Sequence, residues 1–339
     1  MDDGTAPVGT AGTDRATGSL VGVSAPRFVP PASREVDVDG PVHVADYGGP
    51  DGAPLLVCVH GLGGSHLNWA ALAPYLTDRY RLVAVDLLGH GRTPAAGRTP
   101  DVDGHVSLLH GAIDQLSDGP VVLVGNSLGG LVSALCATDS PDKVAGLVLI
   151  DPALPAGRIG LVHPRVVSNF VVCAVPGVGE RYLAARRARS NPEQTVRRVL
   201  AVTCVDPARV PSDVVDAHIE LTASKDRAPG DAAYLASARS LSRVLARPRS
   251  TLHRLATLGA PVLHLHGDRD VLIPLAAARR MAGVRSDWRL EVARDIGHAP
   301  MLEAPVWTSL RMREWLDVDI GPADGGHDAR PAGSTPSIG

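Results

Sequence analysis

A serine between two glycines is the feature of this sequence that points most directly to chemistry. Gly125, Ser127 and Gly129 lie between the apolar run 121–124 and the helix-like run 131–135. A serine at such a strand-to-helix turn has a strained backbone and an exposed hydroxyl, the arrangement called a nucleophile elbow. Side chains two positions before or after it would collide with the neighbouring strand or helix, whereas glycine has no Cβ to collide. The pattern therefore predicts a nucleophilic serine at position 127.

A serine hydroxyl is a poor nucleophile unless a histidine removes its proton and an acid orients that histidine. The sequence supplies candidates for both groups downstream of Ser127. Asp270 lies in a loop just after the strand-like run 261–266, and His298 follows another short strand-like run before a helix start. We therefore predict Asp270 as the orienting acid and His298 as the general base.

These residues resemble the catalytic triad of the α/β-hydrolase fold family, which follows the chain order serine, acid, histidine. The resemblance covers residues 36–318 and includes two further motifs, HGLGG at 60–64 and VDLLGHGRT at 85–93. The positions of Glu303 and Pro305 after His298 also fit the family pattern. The motifs indicate the fold and the mechanism, but the fold by itself hosts many chemistries.

The resemblance also implies an oxyanion hole, because a tetrahedral intermediate carries negative charge on the former carbonyl oxygen. The donors expected from the family pattern are the backbone N–H groups of Leu62, in the glycine-rich loop, and of Leu128, directly after the nucleophile. Their amides matter more than their side chains.

Two other aspartates compete for the role of the acid. Asp268 directly follows a glycine, where a carboxylate is expected to shape the turn. Asp151 ends an apolar run at the position where a minority of related enzymes keep the acid, and we expect it to cap the segment that begins at Pro152. Asp270 is the preferred candidate.

The remaining histidines near these motifs are predicted to be structural, as is Asp86, which we expect to hold loops together. No HExxH or CxxC pattern occurs, so we predict no metal and no cofactor. The histidines in question are His60, His90, His264 and His266.

Composition favours a soluble enzyme with one large domain. The chain has 339 residues, of which 45% are hydrophobic, and its net charge of −3 gives no reason to expect a nucleic-acid partner. The four scattered cysteines are expected to be buried thiols, which favours a cytoplasmic location. Residues 1–24 lack the apolar core of a signal peptide. We expect 1–24 and 321–339 to be disordered tails, because neither can bury enough apolar area.

Between these tails, strand-like and helix-like segments alternate, which predicts an α/β fold with a doubly wound, mostly parallel sheet covered on both faces. A hairpin is expected across Asp39-Gly40, followed by strands near residues 55, 82, 121 and 144 and by helical stretches such as 67–76. The alternation stops after residue 151 and resumes near 261. We therefore predict a core of residues 25–151 and 252–320 and an inserted helical cap of residues 152–251.

The apolar stretch 159–178 of this cap is interrupted by His163, Pro164 and Arg165, so it is not a transmembrane segment. It either packs on the core or lines an apolar pocket over Ser127. The second possibility favours a small-molecule ester with an apolar acyl group as the substrate, hydrolysed through an acyl-enzyme intermediate.

Two alternatives remain open at this stage. Asn126 and the pair Asn68-Trp69 faintly resemble carbon–carbon bond hydrolases of ring-cleavage products of the 2-hydroxy-6-oxodienoate type, although the glycine-rich loop departs from their usual proline-containing form. A ligand-binding protein that keeps the fold without turnover is the other alternative. An apparently intact triad argues against it, because a binder has no need of all three groups. The sequence indicates neither the length of the acyl chain nor the oligomeric state.

Overall fold

The computed structural model describes residues 26–155, 172–224 and 227–321. Eight strands form one sheet in the spatial order β1-β2-β4-β3-β5-β6-β7-β8. Strands β1 and β2 form an antiparallel pair, β2 also pairs antiparallel with β4, and all other neighbours are parallel. The strands are β1 Ala32–Asp37, β2 Pro41–Gly48, β3 Leu55–Val59, β4 Arg81–Val85, β5 Val121–Asn126, β6 Val144–Ile150, β7 Val262–Gly267 and β8 Arg289–Ala293.

Helices cover both faces of this sheet, as the alternating pattern predicts, and the α/β-hydrolase architecture is confirmed. Apolar side chains of α1 and α2 pack in the core on one face, and those of α10 pack in the core on the other. The helices are α1 Val102–Leu116, α2 Leu128–Asp139, α3 Val178–Ala188, α4 Pro192–Thr203, α5 Ser212–Ala223, α6 Arg227–Ala246, α7 Pro248–Ala256, α8 Leu275–Val284, α9 Pro300–Glu303 and α10 Pro305–Trp315.

The first hairpin forms where the sequence predicts it, with Asp39 and Gly40 both at positive φ in the turn. The expectation of one helical stretch over 67–76 is wrong in detail. Two short 3-10 helices, His66–Trp69 and Ala73–Tyr75, take its place. Pro74 has no N–H to donate within an α-helix, and the turns there are closed by shorter-range bonds such as Leu76 N–H to Ala73 O, 2.9 Å.

Helices also occupy the described part of the predicted cap interval. Four of them, α3 to α6, lie within it, and α7 begins inside the interval and ends beyond residue 251. Leu255 of α7 is buried in the same apolar core as α2. Residues 156–171, which hold most of the apolar stretch 159–178, lie outside the described residues, as do both predicted tails except for Gly321.

Among the helices of the described ranges, none combines the length and the apolar character that a membrane span requires.

Candidate active site

Ser127 occupies a strained turn at the carboxyl end of β5. Its φ of 53° and ψ of −116° are unusual for a residue with a side chain. The turn is held from both sides, because the Ser127 N–H donates to Ile150 O (3.0 Å) and its carbonyl accepts from the N–H of Ala153 (2.9 Å). α2 begins at the next residue, Leu128. The chain thus turns abruptly from strand into helix at the predicted nucleophile.

The flanking glycines are required by close backbone contacts. A Cβ on Gly129 would lie 2.2 Å from the carbonyl oxygen of Val59, and one on Gly125 would lie 2.5 Å from the carbonyl oxygen of Gly129. In the loop that follows Val59, a Cβ on Gly61 would lie 3.1 Å from the Cβ of Ser127. The glycine-rich loop after β3 therefore packs directly against the elbow.

The structure brings Asp270 and His298 into direct contact. Asp270 Oδ2 lies 2.7 Å from His298 Nδ1, and Asp270 Oδ1 accepts from the N–H groups of Leu272 (2.7 Å) and Ile273 (3.0 Å). Both side chains are buried. Burial alone would raise the pKa of Asp270, but the adjacent His298 and the other donors outweigh it and lower that pKa below its usual value. The carboxylate is therefore ionised and ready to orient the imidazole.

The loop that carries His298 is held by hydrogen bonds to the end of α4 and to the residues that follow it. The His298 N–H donates to the carbonyl of Thr203 at the end of α4 (2.6 Å). Glu303 accepts from the N–H of Gly297 through Oε2 and from the N–H of Asp206 through Oε1, both at 2.8 Å. One buried carboxylate thus joins the histidine loop to the segment after α4, a function that fits the position of Glu303 in the family pattern.

Asn126 connects the elbow with the histidine loop. Its Nδ2 group donates to the carbonyl of Ile150 (3.1 Å) and to that of His298 (3.2 Å). The residue just before Ser127 is therefore bonded to the main chain of His298. Ser127, Asp270 and His298 follow β5, β7 and β8, three parallel strands whose carboxyl ends share one edge of the sheet.

The two amides predicted for an oxyanion hole belong to Leu128, directly after Ser127, and to Leu62, which follows Gly61 in the loop that packs against the elbow. Leu128 is the first residue of α2, so its N–H has no intrahelical acceptor. Within the described ranges, the N–H of Leu62 donates to no other residue. α6 lies over the same loop, since a Cβ on Gly63 would be 3.3 Å from the ring of Tyr234.

Asp86 holds loops together, as the sequence predicts. It accepts from the main-chain N–H groups of His66 (2.6 Å) and Arg92 (2.8 Å) and from the Nδ1 atoms of His43 (2.9 Å) and His66 (2.8 Å). Burial opposes its ionisation, yet these donors lower the pKa of Asp86 below its usual value. The downstream end of the glycine-rich loop is thereby anchored to the loop after β4.

Two of the histidines predicted to be structural, His60 and His90, bind main-chain groups. His60 Nδ1 lies 2.8 Å from Gly61 O, and its Nε2 accepts from Leu87 N–H (3.1 Å). Burial lowers the pKa of His60 to about 3, so it is neutral, as this hydrogen-bond pattern requires. His90 Nδ1 lies 2.9 Å from Leu88 O.

Two groups of side chains in the described ranges place three possible metal-ligand atoms within 4.8 Å of one another. In the first, the separations of His43 and His66 from Asp86 are those of direct hydrogen bonds. The second combines Asp151, His266 and Asp270, and its Asp270 is already bonded to His298. Hydrogen bonding thus accounts for the contacts of the first group and occupies Asp270 in the second.

The expectation that Asp151 caps the segment at Pro152 is wrong. Asp151 is fully buried, has a φ of 43°, and accepts from the N–H of Gly267 in β7 (3.0 Å). Its side chain thus reaches the end of β7 and lies next to Asp270. Sequence reasoning missed this contact, although an aspartate at the end of β6 signals the same sheet edge as Asp270.

Comparison with known proteins places the chain in a family. Residues 54–305 match the alpha/beta hydrolase fold family. The chain is 33% identical over 257 residues to a pimeloyl-[acyl-carrier protein] methyl ester esterase of Aromatoleum aromaticum, a match that covers 74% of this chain and 94% of that protein. It is 43% identical over 113 residues to lipase LipV of Mycobacterium tuberculosis, a match that spans only 33% of this chain and 42% of the lipase.

A solved structure extends the comparison to the fold. Cfl2 from Burkholderia cenocepacia superposes with a TM-score of 0.72 at 22% identity, covering 86% of this chain and 97% of that one. The family match and the 33% identity over nearly a whole relative agree with the architecture described above. The chain is a hydrolase that belongs to the alpha/beta hydrolase fold family.

Proposed function

We propose that this protein is a serine esterase that hydrolyses carboxylic esters with an apolar acyl group through an acyl-enzyme intermediate. The observation that carries the proposal is the buried 2.7 Å contact between Asp270 and His298. Asn126 adds to it, because this neighbour of Ser127 is bonded to the His298 main chain.

The hydrogen bond to Asp270 assigns the His298 tautomer. Nδ1 carries the proton that Asp270 accepts, which leaves Nε2 as the base. In the first step Nε2 takes the Ser127 proton while Oγ bonds to the ester carbonyl carbon. The imidazolium then gives this proton to the departing alcohol as the ester C–O bond breaks. Water repeats the sequence on the acyl-enzyme and releases the acid and the free serine.

The N–H groups of Leu62 and Leu128 are proposed to hold the negatively charged oxygen in both tetrahedral intermediates. Loss of one such donor costs on the order of 10²- to 10³-fold in rate. The Asp86 network supports this role, because it anchors His66 at the end of the glycine-rich loop.

Residues 152–251 are proposed to act as a cap that selects the substrate. Tyr234 of α6 packs on Gly63, and the Cβ of Ala233 would lie 2.1 Å from a Cβ added to Gly89. These contacts support the proposed role for α6. The similarity to a pimeloyl-[acyl-carrier protein] methyl ester esterase supports an ester substrate with a largely apolar acyl group. All four cysteines are free and buried, which supports a cytoplasmic location.

A fluorophosphonate probe tests the proposal. We expect one covalent adduct by intact-protein mass, no adduct in Ser127→Ala, and turnover of p-nitrophenyl esters by the wild type. Ser133→Ala is a matched control, because Ser133 is a buried serine of α2 whose hydroxyl has no hydrogen-bond partner among the described residues.

The other outcomes separate the alternatives. An adduct without ester turnover, together with hydrolysis of a 2-hydroxy-6-oxodienoate, would replace ester cleavage by carbon–carbon cleavage. A wild type without adduct or turnover that binds a small ligand stoichiometrically would indicate a binding protein. Labelling that persists in Ser127→Ala would exclude Ser127 as the nucleophile.

A further inference from the structure

Two buried carboxyl groups lie side by side behind His298. Oxygen atoms of Asp151 and Asp270 and a ring nitrogen of His266 all lie within 4.8 Å of one another, and all three side chains are buried. Two negative charges at such a distance in a dry interior repel strongly, so one carboxyl group is expected to keep its proton.

The hydrogen-bond donors decide which carboxyl group is ionised. Asp270 receives three donors, namely the N–H groups of Leu272 and Ile273 and Nδ1 of His298. Asp151 Oδ1 receives one, the N–H of Gly267, while Asp151 Oδ2 is buried with no hydrogen-bond partner among the described residues. An ionised carboxylate left this poorly solvated costs far more free energy than a neutral acid in the same place.

The tautomer of His266 leads to the same conclusion. His266 Nε2 lies 2.9 Å from the carbonyl of Ile273, which can only accept, so Nε2 carries the proton. In the neutral ring, Nδ1 is then a lone pair, and it lies 3.3 Å from Asp151 Oδ1. A lone pair facing a carboxylate is repulsive, while a proton on Asp151 removes the repulsion.

We propose that Asp151 is an uncharged carboxylic acid at neutral pH, which leaves Asp270 as the single ionised carboxylate behind His298. The directions of the pKa shifts agree. Burial and the negative charge of Asp270 raise the pKa of Asp151, and burial lowers the pKa of His266. Glu303 also contributes negative charge that disfavours ionisation of Asp151. The kinetic part of this inference rests on the proposed esterase function, but the charge assignment does not.

Asp151→Asn is the decisive variant, because asparagine has the shape of the neutral acid and can still accept from Gly267. We expect its kcat/KM to stay within about threefold of the wild type. Asp270→Asn should lose on the order of 10⁴-fold, because the imidazole then takes the wrong tautomer. Equal losses in both variants would overturn the proposal and give Asp151 an ionised role.

Two measurements do not depend on turnover. Infrared spectra at neutral pH should show a carbonyl band of a protonated carboxylic acid in the wild type that is absent from Asp151→Asn. The folded state holds a proton that the unfolded chain releases above the usual aspartate pKa. The folding equilibrium constant of the wild type relative to Asp151→Asn should therefore fall about tenfold per pH unit from pH 5 to 7. A missing band or a flat ratio would refute the neutral acid even if the protein hydrolysed no ester.

Discussion

Asn126 donates a hydrogen bond from Nδ2 to the main-chain carbonyl of His298 over 3.2 Å. The same amide nitrogen also donates to the carbonyl of Ile150, whose oxygen accepts from the Ser127 N–H as well. A single side chain therefore links the end of β6, the nucleophile elbow and the histidine loop. Small displacements of catalytic groups lower the reaction rate, so the proposed mechanism makes this link important for activity.

Replacing Asn126 by alanine tests the link. We expect kcat to fall roughly 10- to 100-fold with little change in KM, because the histidine loop loses its bond to the elbow. The free energy of unfolding should fall by about 1–3 kcal/mol, because the buried His298 carbonyl loses a donor. Kinetics on a p-nitrophenyl ester and chemical denaturation measure the two effects.

Asn191→Ala is the control for destabilisation alone. Asn191 caps α4 through its side chain and is exposed, so its loss should cost about 1 kcal/mol and leave kcat unchanged. A comparable loss of kcat in this control would show that Asn126→Ala lowers kcat by destabilising the fold and not by removing the hydrogen bond to His298.

Ser127→Ala and His298→Ala should each remove nearly all turnover, by on the order of 10⁴-fold or more, because the proposed mechanism places both residues in the same proton transfer. The double variant should be no slower than either single variant. Single-turnover rates, measured with the enzyme in excess over the ester, give the residual activity. Losses that multiply in the double variant would contradict a shared mechanism.

Gly129→Ala should prevent the native fold or lower its stability by about 3 kcal/mol or more, because the new methyl group would lie 2.2 Å from Val59 O. Gly119→Ala is the matched control. A Cβ there meets nothing within 4 Å, so the melting temperature should barely change. A stable, active Gly129→Ala would contradict the close approach of β3 and α2.

His264 predicts a pH dependence of stability. It is buried in β7, its two ring nitrogens have no hydrogen-bond partner among the described residues, and burial lowers its pKa to about 3. The unfolded chain binds a proton below about pH 6.5 that the folded protein does not. His264 therefore lowers the free energy of unfolding by about 1.4 kcal/mol for each pH unit as the pH falls from 6.5 towards 3.

His264→Leu should accordingly show a shallower loss of stability from pH 6.5 to 4 than the wild type, measured by denaturant unfolding. His253→Gln replaces an exposed histidine of α7 and should keep the wild-type slope. An unchanged slope in His264→Leu would mean that His264 is protonated in the folded protein.

The architecture and the identity of the site candidates could be predicted from local patterns. Alternating apolar and helical segments predict the parallel sheet, because burial on both faces demands such runs. Gly125 and Gly129 flank Ser127 at a spacing that a strand-to-helix turn requires, and Asp270 and His298 each follow a strand. The two 3-10 helices near Pro74 could not be predicted in this way, because the spacing of apolar residues does not show the effect of the N–H that Pro74 lacks.

Long-range contacts decided the partners of the buried polar side chains, because these partners depend on which strands become neighbours. The sequence by itself determined the fold class, the elbow and the order of the candidate triad, since each depends on residues within a few positions. Only the tertiary structure placed Asp151 beside Asp270, bonded Asn126 to His298 and set Glu303 between Gly297 and Asp206. These contacts join residues that are distant in sequence, and they form only when β5 to β8 align their carboxyl ends at one edge of the sheet.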